Sequence, residues 1–455
     1  MEFASDIMGA MKYHIWTEGC QMNVADSMRV SSALEQLGYQ PVRVPEEADV
    51  IVLNTCVVRQ SAENKAYGRL TSIKPLKSNN PDLVINLMGC LVGVKNNPLL
   101  QKRFPYVDVF SPPSDPAPLV SYLLQKRHRE LQEGETTARF ALMDEEFPMP
   151  GYDHASQVTA FLPVVLGCSH ACTYCVIPYR RGVEESRPFN QVVLEAERLV
   201  AGGVKEITLL GQIVDRYGKD LPPGMELPAL LTRLNDISGL ERIRFLTSHP
   251  NWMTEELLDT VAAHEKICPH IEVPVQAGDD FVLQNMRRGY TSNDYRRLIK
   301  RIREKIPDVS IATDIIIGFP DESEEQFQHT YDLLEELRLD VAHLARYSPR
   351  PNTVATRQMS DNVSEKEKMR RFRLLEDQQE RIVAEIHAAY LGRNVPVLFE
   401  EKVKNRWRGR TETNKLVFVE TEADLRGKLE LVTITWTGPW SMLGQLDEDR
   451  GSGVQ

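Results

Sequence analysis

The sequence predicts an α/β protein in three parts: an N-terminal parallel α/β domain, a central partial (β/α)6 barrel and a small C-terminal β-barrel. Three observations carry this expectation. Short apolar runs alternate with amphipathic stretches in the first hundred or so residues, and the alternation resumes from Phe161 with six strand-like segments. From Arg393 the pattern changes to short alternating strands with turn signals, as in a small β-barrel. The boundaries expected are 11–125, a linker over 126–157, 158–388 and 389–449.

In the first part, KYHIWTEGC, ADVIVLNTC and DLVINLMGC each read as a strand ending in a polar turn. The stretches from Asp26 and from Arg59 between them carry helical spacing. Cys20, Cys56 and Cys90 therefore fall at the C-terminal ends of three strands, the edge where open α/β sheets bind ligands. The proline-rich SPPSDPAPLV and the charged stretch from Gln125 to Glu146 read as a linker, partly helical. In the second part the strands are FLPVVLG, EITLLGQ, RIRFLTSHP, HIEVPVQAG, VSIATDIIIGFP and VAHLARYSP, separated by amphipathic helices. Barrel chemistry sits at the C-terminal ends of such strands. Polar residues there include Gln212, Ser248 and Gln276, which are candidates for positioning a cofactor or substrate and could equally be hydrogen-bonded turn residues.

A chain of 455 residues with 42% hydrophobic content can build several cores. No segment approaches the roughly 20 apolar residues of a membrane helix. The N-terminus lacks the apolar stretch of a signal peptide, so the expected location is the cytoplasm. A net charge of −11 argues against a general nucleic-acid coat and requires any phosphate-binding surface to be local. Seven cysteines without a secretion signal are not a disulfide framework. Two groups of three, with Cys268 left over as a buried structural thiol, form a metal-site pattern.

The segment GCSHACTYCVIPYRRG places Cys168, Cys172 and Cys175 in a CxxxCxxC arrangement directly after an apolar strand. Iron–sulfur clusters take four ligands, so three cysteines on one loop leave one iron open to a small molecule. The alternatives are a zinc site completed by His170 or a distant ligand, or a simple electron-transfer cluster. Zinc more often takes paired CxxC knuckles, and electron-transfer clusters usually have a fourth cysteine nearby. The motif, with Tyr174 as the aromatic residue before its last cysteine, resembles the radical S-adenosylmethionine superfamily. That resemblance implies that the cofactor's amino and carboxylate groups chelate the open iron, and that electron transfer cleaves its sulfonium to a 5′-deoxyadenosyl radical.

Singly, Cys20, Cys56 and Cys90 could each be buried small hydrophobes. Together, GCQMNVADS, NTCVVRQSAENK and MGC resemble the N-terminal domain of the methylthiotransferases. The resemblance implies a second four-iron–four-sulfur cluster on these three cysteines, with an open iron that carries the sulfur to be delivered. It extends through PYRRGVEESR, LLGQIVDRYG, HIEVPVQAGDD, MRRGY, TDIIIGFPDES and YSPRPNT. Departures from the family pattern are Arg180, Val183, Glu185, Ile213, Asp215, Ala277 and Asp321, the last standing where a glycine is usual. Glu184 and Arg187 could orient substrate or cofactor, or form an ion pair.

The terminal barrel resembles a TRAM domain, an RNA-binding module. Lys402, Lys404, Arg406, Arg408, Arg410 and Lys415 cluster around Trp407, a set that could hold phosphates while the aromatic stacks on a base, or be a solvated strand face. GCQMN and Arg181-Gly-x-Glu184 favour the branch acting on N6-isopentenyladenosine beside the tRNA anticodon. Other branches act on N6-threonylcarbamoyladenosine or on a ribosomal-protein aspartate. The implied partners are tRNA, S-adenosylmethionine, an electron donor and a sulfur source, the last two unidentified, and nothing demands more than a monomer. From a different class, a non-catalytic zinc-dependent RNA-binding protein would also account for cysteines plus a basic barrel.

Overall fold

The structure is a computed structural model that describes residues 11–95, 97–130 and 157–446. Its described residues form two compact units. The first is the N-terminal region up to residue 130 together with Leu166–His170 and Cys175–Glu184, and the second is the rest of the described residues. Most of the expected linker, 131–156, lies outside the described residues.

The first unit is a five-stranded parallel sheet of β1 (Lys12–Thr17), β2 (Gln40–Pro41), β3 (Val50–Thr55), β4 (Val84–Gly89) and β5 (Val109–Ser111), in the order β2-β1-β3-β4-β5. Helices α1 (Gln21–Gln36), α2 (Gln60–Asn79), α3 (Pro98–Arg103) and α4 (Ala117–Glu130) follow the strands. Side chains alternate across a strand, so neighbouring residues feed opposite faces. Ile51, Leu53, Ile85 and Leu87 pack with Ala66, Leu70 and Ile73 of α2. Val50, Val52 and Val84 pack with Val30 and Leu34 of α1 and Leu119 and Leu123 of α4. Both faces are covered, which explains why these strands read as continuous apolar runs.

The second unit begins with β6 (Thr159–Pro163), β7 (Glu206–Leu210) and β8 (Arg242–Leu246), paired in parallel in the order β8-β7-β6. Next come β9 (His270–Glu272), β10 (Ser310–Ile317) and β11 (Val341–Arg346), also parallel. The amide of Ser248 donates to the Glu272 carbonyl at 3.0 Å, and a bridge joins Ile243 to Ile267, linking the two triplets. Helices α5 (Phe189–Ala201), α6 (Leu227–Asn235), α7 (Glu255–Ala263), α8 (Ser292–Lys305) and α9 (Glu324–Leu337) alternate with these strands. The result is the partial (β/α)6 barrel that the sequence predicts. Asp321 has φ +66°, a conformation glycine adopts freely, and its carboxylate accepts from Asn362 Nδ2 at 2.6 Å. That bond shows how an aspartate is accommodated at a glycine position.

The long helix α10 (Glu365–Ala388) runs on to a closed barrel of β12 (Asn394–Val403), β13 (Arg406–Thr411), β14 (Leu416–Val419), β15 (Leu429–Thr437) and β16 (Met442–Leu446). Two arginines at the start of β8 fasten it. Arg242 donates to the carbonyls of Arg410 and Pro396 at 2.6 and 2.9 Å. Arg244 donates to those of Glu412 and Thr411 at 2.7 and 2.8 Å. Lys415 completes the joint through an ion pair with Asp340. These contacts lie at the N-terminal ends of the (β/α)6 strands, away from the edge where Gln212, Ser248 and Gln276 sit.

Candidate active site

Cys56 directly follows β3, Cys90 directly follows β4, and Cys20 lies three residues beyond β1. The register sets Thr55 beside Gly89, so Cys56 and Cys90 leave the sheet on neighbouring strands. Two glycines allow the turns to close. A Cβ on Gly19 (φ +152°) would meet Asn23 Oδ1 at 2.3 Å and Cys56 Cβ at 3.0 Å, and one on Gly89 (φ +93°) would meet the Thr55 carbonyl at 2.5 Å. Cys20 caps α1, with its amide and sulfur both facing Asn23 Oδ1 at 3.3 and 3.5 Å. The three thiols lie near enough for their charges to act on one another. Burial pushes the Cys90 thiol up to about 12, against the pull of Arg181, and also raises Cys56, whose sulfur accepts from the Val58 amide at 3.4 Å.

Residues that the sequence reading did not single out hold this arrangement. Asn23 and Asn54, both fully buried, exchange hydrogen bonds: Asn23 Nδ2 donates to Asn54 Oδ1 at 2.9 Å and Asn54 Nδ2 to the Asn23 carbonyl at 2.7 Å. They tie the Cys20 turn to the strand that carries Cys56. A buried asparagine inside the apolar run VIVLNT was the available signal.

In the first unit, the Cys168 amide donates to the Gly182 carbonyl at 3.1 Å, and the Glu184 amide donates to Ser169 Oγ at 3.0 Å. In the second unit, Cys172 Sγ accepts from Arg288 Nη1 at 3.3 Å, while the same guanidinium donates to the Pro274 carbonyl and to the Tyr290 hydroxyl. Arg288 is buried and has no ion-pair partner among the described residues. A buried cation of this kind needs an anion, and it faces a cysteine sulfur. Tyr174 packs edge-on against Phe319, with ring centroids 6.4 Å apart. Among the described residues, no three His, Cys, Asp or Glu side chains are grouped tightly enough to hold a single metal ion.

Ser248 and Gln276 are buried at the ends of β8 and β9, and Gln212 is half-buried beyond β7. The Ser248 hydroxyl has no hydrogen-bond partner among the described residues. Gln276 is held with φ +78°, its amide donating to the Asp314 carbonyl at 2.9 Å. Glu272, at the end of β9, was missed. Burial pushes its carboxyl up to about 7, and the charge of Asp314 adds to the effect. The folded value lies above the ordinary 4.5, so the fold favours the protonated form. The stability this group contributes is present below about pH 4.5 and lost as pH rises through about 7. Glu272→Gln is therefore expected to raise the urea midpoint relative to wild type at about pH 8 more than at about pH 5.

Arg187 pairs with Glu195 at 2.5 Å and donates to the Pro163 carbonyl at 2.8 Å, both buried. That ties it to the barrel wall. Cys268 is buried, and burial pushes its thiol up to about 11, as a structural thiol requires.

The terminal barrel corrects part of the proposed RNA surface. Trp407 is only 5% exposed and belongs to the barrel core, so it cannot stack on a base. Lys415 is also buried, spent on Asp340. Arg408 and Arg410 are half-buried and lie beside Glu400, and Arg408 also pairs with Glu401 at 2.7 Å. Lys402, Lys404 and Arg406 remain exposed at the β12–β13 hairpin, with Glu422 and Glu420 near Lys402 and Arg406. The exposed tryptophans of this barrel are Trp436 and Trp440, at 50% and 63%.

Two family models match the chain: the Radical SAM superfamily over residues 162–334 and the uncharacterized protein family UPF0004 over residues 12–111. The fold is similar to that of the radical S-adenosylmethionine methyltransferase TsrM from Kitasatospora setae, with a TM-score of 0.51 at 15% identity, covering 88% of this chain and 81% of that one. Fold and cysteine loop define a radical S-adenosylmethionine enzyme. A tRNA-2-methylthio-N(6)-dimethylallyladenosine synthase from Roseiflexus sp. (strain RS-1) is 47% identical over 96% of this chain and 89% of its own length. One from Herpetosiphon aurantiacus is 46% identical over 96% and 97%. The chain belongs to this family of synthases.

Proposed function

We infer that this chain attaches a methylthio group to C2 of N6-dimethylallyladenosine beside the anticodon of tRNA, by a radical S-adenosylmethionine reaction. The observation that carries the reading is the pairing of two cysteine sets in one chain: Cys20, Cys56 and Cys90 at three strand ends of one sheet, and Cys168, Cys172 and Cys175 on the loop after the first barrel strand. Near-full-length similarity to the synthases supports the substrate.

The residues fit two anionic clusters. Each set offers three cysteine sulfurs, and in the second a buried guanidinium, that of Arg288, donates to the sulfur of Cys172. We assign one four-iron–four-sulfur cluster to each set. With S-adenosylmethionine bound, such a cluster supplies the electron and the carbon radical that an unactivated C2 demands. The chain's own work is positioning. Ser248 has an unused buried hydroxyl to offer a ligand, and Gln276 and Gln212 stand on the same strand-end edge. Tyr174, wedged against Phe319, stiffens the loop between Cys172 and Cys175.

For RNA, the reading rests on Lys402, Lys404 and Arg406 for phosphates and on Trp436 and Trp440 as the aromatic surfaces available to bases. The electron donor and sulfur source are separate partners. A cytoplasmic location suits a tRNA substrate, and no helix among the described residues is long and apolar enough to cross a membrane. A monomer suffices for the chemistry.

The test is anaerobic turnover of reconstituted protein with S-adenosylmethionine and tRNA, read by mass spectrometry of the nucleosides. Methylthiolation of dimethylallyladenosine tRNA, with none on threonylcarbamoyladenosine tRNA, is expected. The reverse preference would overturn the substrate assignment.

A further inference from the structure

The turn after the short helix Asp280–Asn285 aims one arginine at the sulfur of Cys172. Gly289 makes the turn at φ +73°, and Asn251 Nδ2 donates to the carbonyls of Arg288 and Gly289, both at 3.3 Å. The Arg288 side chain is then fixed at three points. Its Nε donates to the Tyr290 hydroxyl at 2.9 Å, Nη2 to the Pro274 carbonyl at 3.0 Å and Nη1 to Cys172 Sγ at 3.3 Å. Two observations separate this contact from a mere fastening of the loop. The next residue has fastenings of its own: the Thr173 amide donates to the Met286 carbonyl at 3.1 Å, its hydroxyl to the Asn285 carbonyl at 2.8 Å, and its carbonyl accepts from the Ala355 amide at 2.8 Å. Arg288 is also only 4% exposed, and its two oxygen partners, a phenol and a backbone carbonyl, are neutral. A buried cation without a counter-charge is strongly unfavourable, and a neutral donor would serve both oxygens. Negative charge at the sulfur accounts for a guanidinium here.

We propose that Arg288 is a positioning residue that holds the Cys172 sulfur by a charge-assisted hydrogen bond and raises the reduction potential of the cluster that this sulfur ligates. The inference rests on the reading that Cys168, Cys172 and Cys175 hold an iron–sulfur cluster. On reduction, one electron from a low-potential donor enters the cluster and adds one negative charge, while the guanidinium keeps its proton. Cluster potential responds to net charge and to hydrogen bonds at the sulfurs. A buried cation donating to a ligand sulfur favours the reduced form on both counts, and the low local dielectric strengthens the effect. Arg288 thus makes the cluster easier to charge from its donor. Glutamine at this position would keep a donor and lose the charge. Lysine would keep the charge and lose the planar fork that serves Tyr290, Pro274 and the sulfur together.

The experiment uses the full chain carrying Cys20, Cys56 and Cys90→Ala, reconstituted with iron and sulfide and titrated with reductant under electron paramagnetic resonance. Arg288→Gln is expected to lower the midpoint by about 59 mV or more, a tenfold loss in the one-electron reduction equilibrium. Arg288→Lys is expected to lower it less. Thr173→Val, which loosens the same loop without touching the charge, is expected to leave it in place. An unchanged midpoint in iron-replete Arg288→Gln, or an equal fall in Thr173→Val, would overturn the inference. If Arg288→Gln loads no iron, the parent protein decides, grown with arginine whose side-chain nitrogens are isotopically labelled. Magnetic coupling of a labelled nitrogen to the reduced cluster is then expected, and its absence would overturn the inference. A parent protein that binds no iron would instead sink the cluster reading on which the inference rests.

Discussion

Replacing Cys20, Cys56 and Cys90 together by alanine is expected to abolish methylthio transfer to tRNA while reductive cleavage of S-adenosylmethionine continues. The two cysteine sets draw on different stretches of chain. One comes from the ends of β1, β3 and β4, the other from the contiguous loop 168–175. Alanine at the first set leaves every cysteine of the loop in place. It also leaves Ser248, Gln276 and Arg288, which belong to the (β/α)6 barrel. Liquid chromatography of 5′-deoxyadenosine and of tRNA nucleosides in one reaction separates the outcomes. Methylthiolated product from the triple variant would remove the first set from the reaction. Loss of 5′-deoxyadenosine as well would make it a structural requirement of the loop.

The second large effect concerns stability. Arg244 is buried, ion-paired with Glu206 at 2.9 Å, and supplies donors to two carbonyls of the terminal barrel. Arg244→Met would strand the Glu206 carboxylate in the interior and leave the carbonyls of Thr411 and Glu412 without these donors. Removing one member of a buried pair costs about 3–5 kcal/mol. A fall of that size is expected in urea unfolding. The double variant Arg244→Met/Glu206→Met is expected to recover part of it, because no buried charge is then left alone. Equal destabilisation in both variants would mean that the barrel carbonyls, and not the ion pair, carry the effect.

The strands were legible because each is short, apolar and closed by a polar turn. The cysteines were legible because they fall at those turns. What failed was mostly non-local. Lys415 is taken out of the RNA surface by Asp340, 75 residues away, a contact no local pattern announces. Arg181 and Asp26 are 155 residues apart and meet only because Cys175–Glu184 packs with the N-terminal unit. Strand β5 has only three residues, too few for a period. Trp407 is different, since its burial was readable. In RWRGRT the arginines alternate with Trp407, Gly409 and Thr411, and a barrel strand with period two must turn one set inward. The structure buries Trp407, Gly409 and Thr411 and leaves the three arginines partly or fully exposed. Treating the run as a basic patch around an aromatic overlooked that alternation.

Two independent iron–sulfur clusters are expected in one chain. The deciding measurement is iron and sulfide content after anaerobic reconstitution, in wild type and in the Cys168/Cys172/Cys175→Ala variant. About eight irons per chain, falling to about four in the variant, are expected. Zinc with negligible iron in both proteins would contradict it and leave a metal-dependent RNA-binding protein in its place.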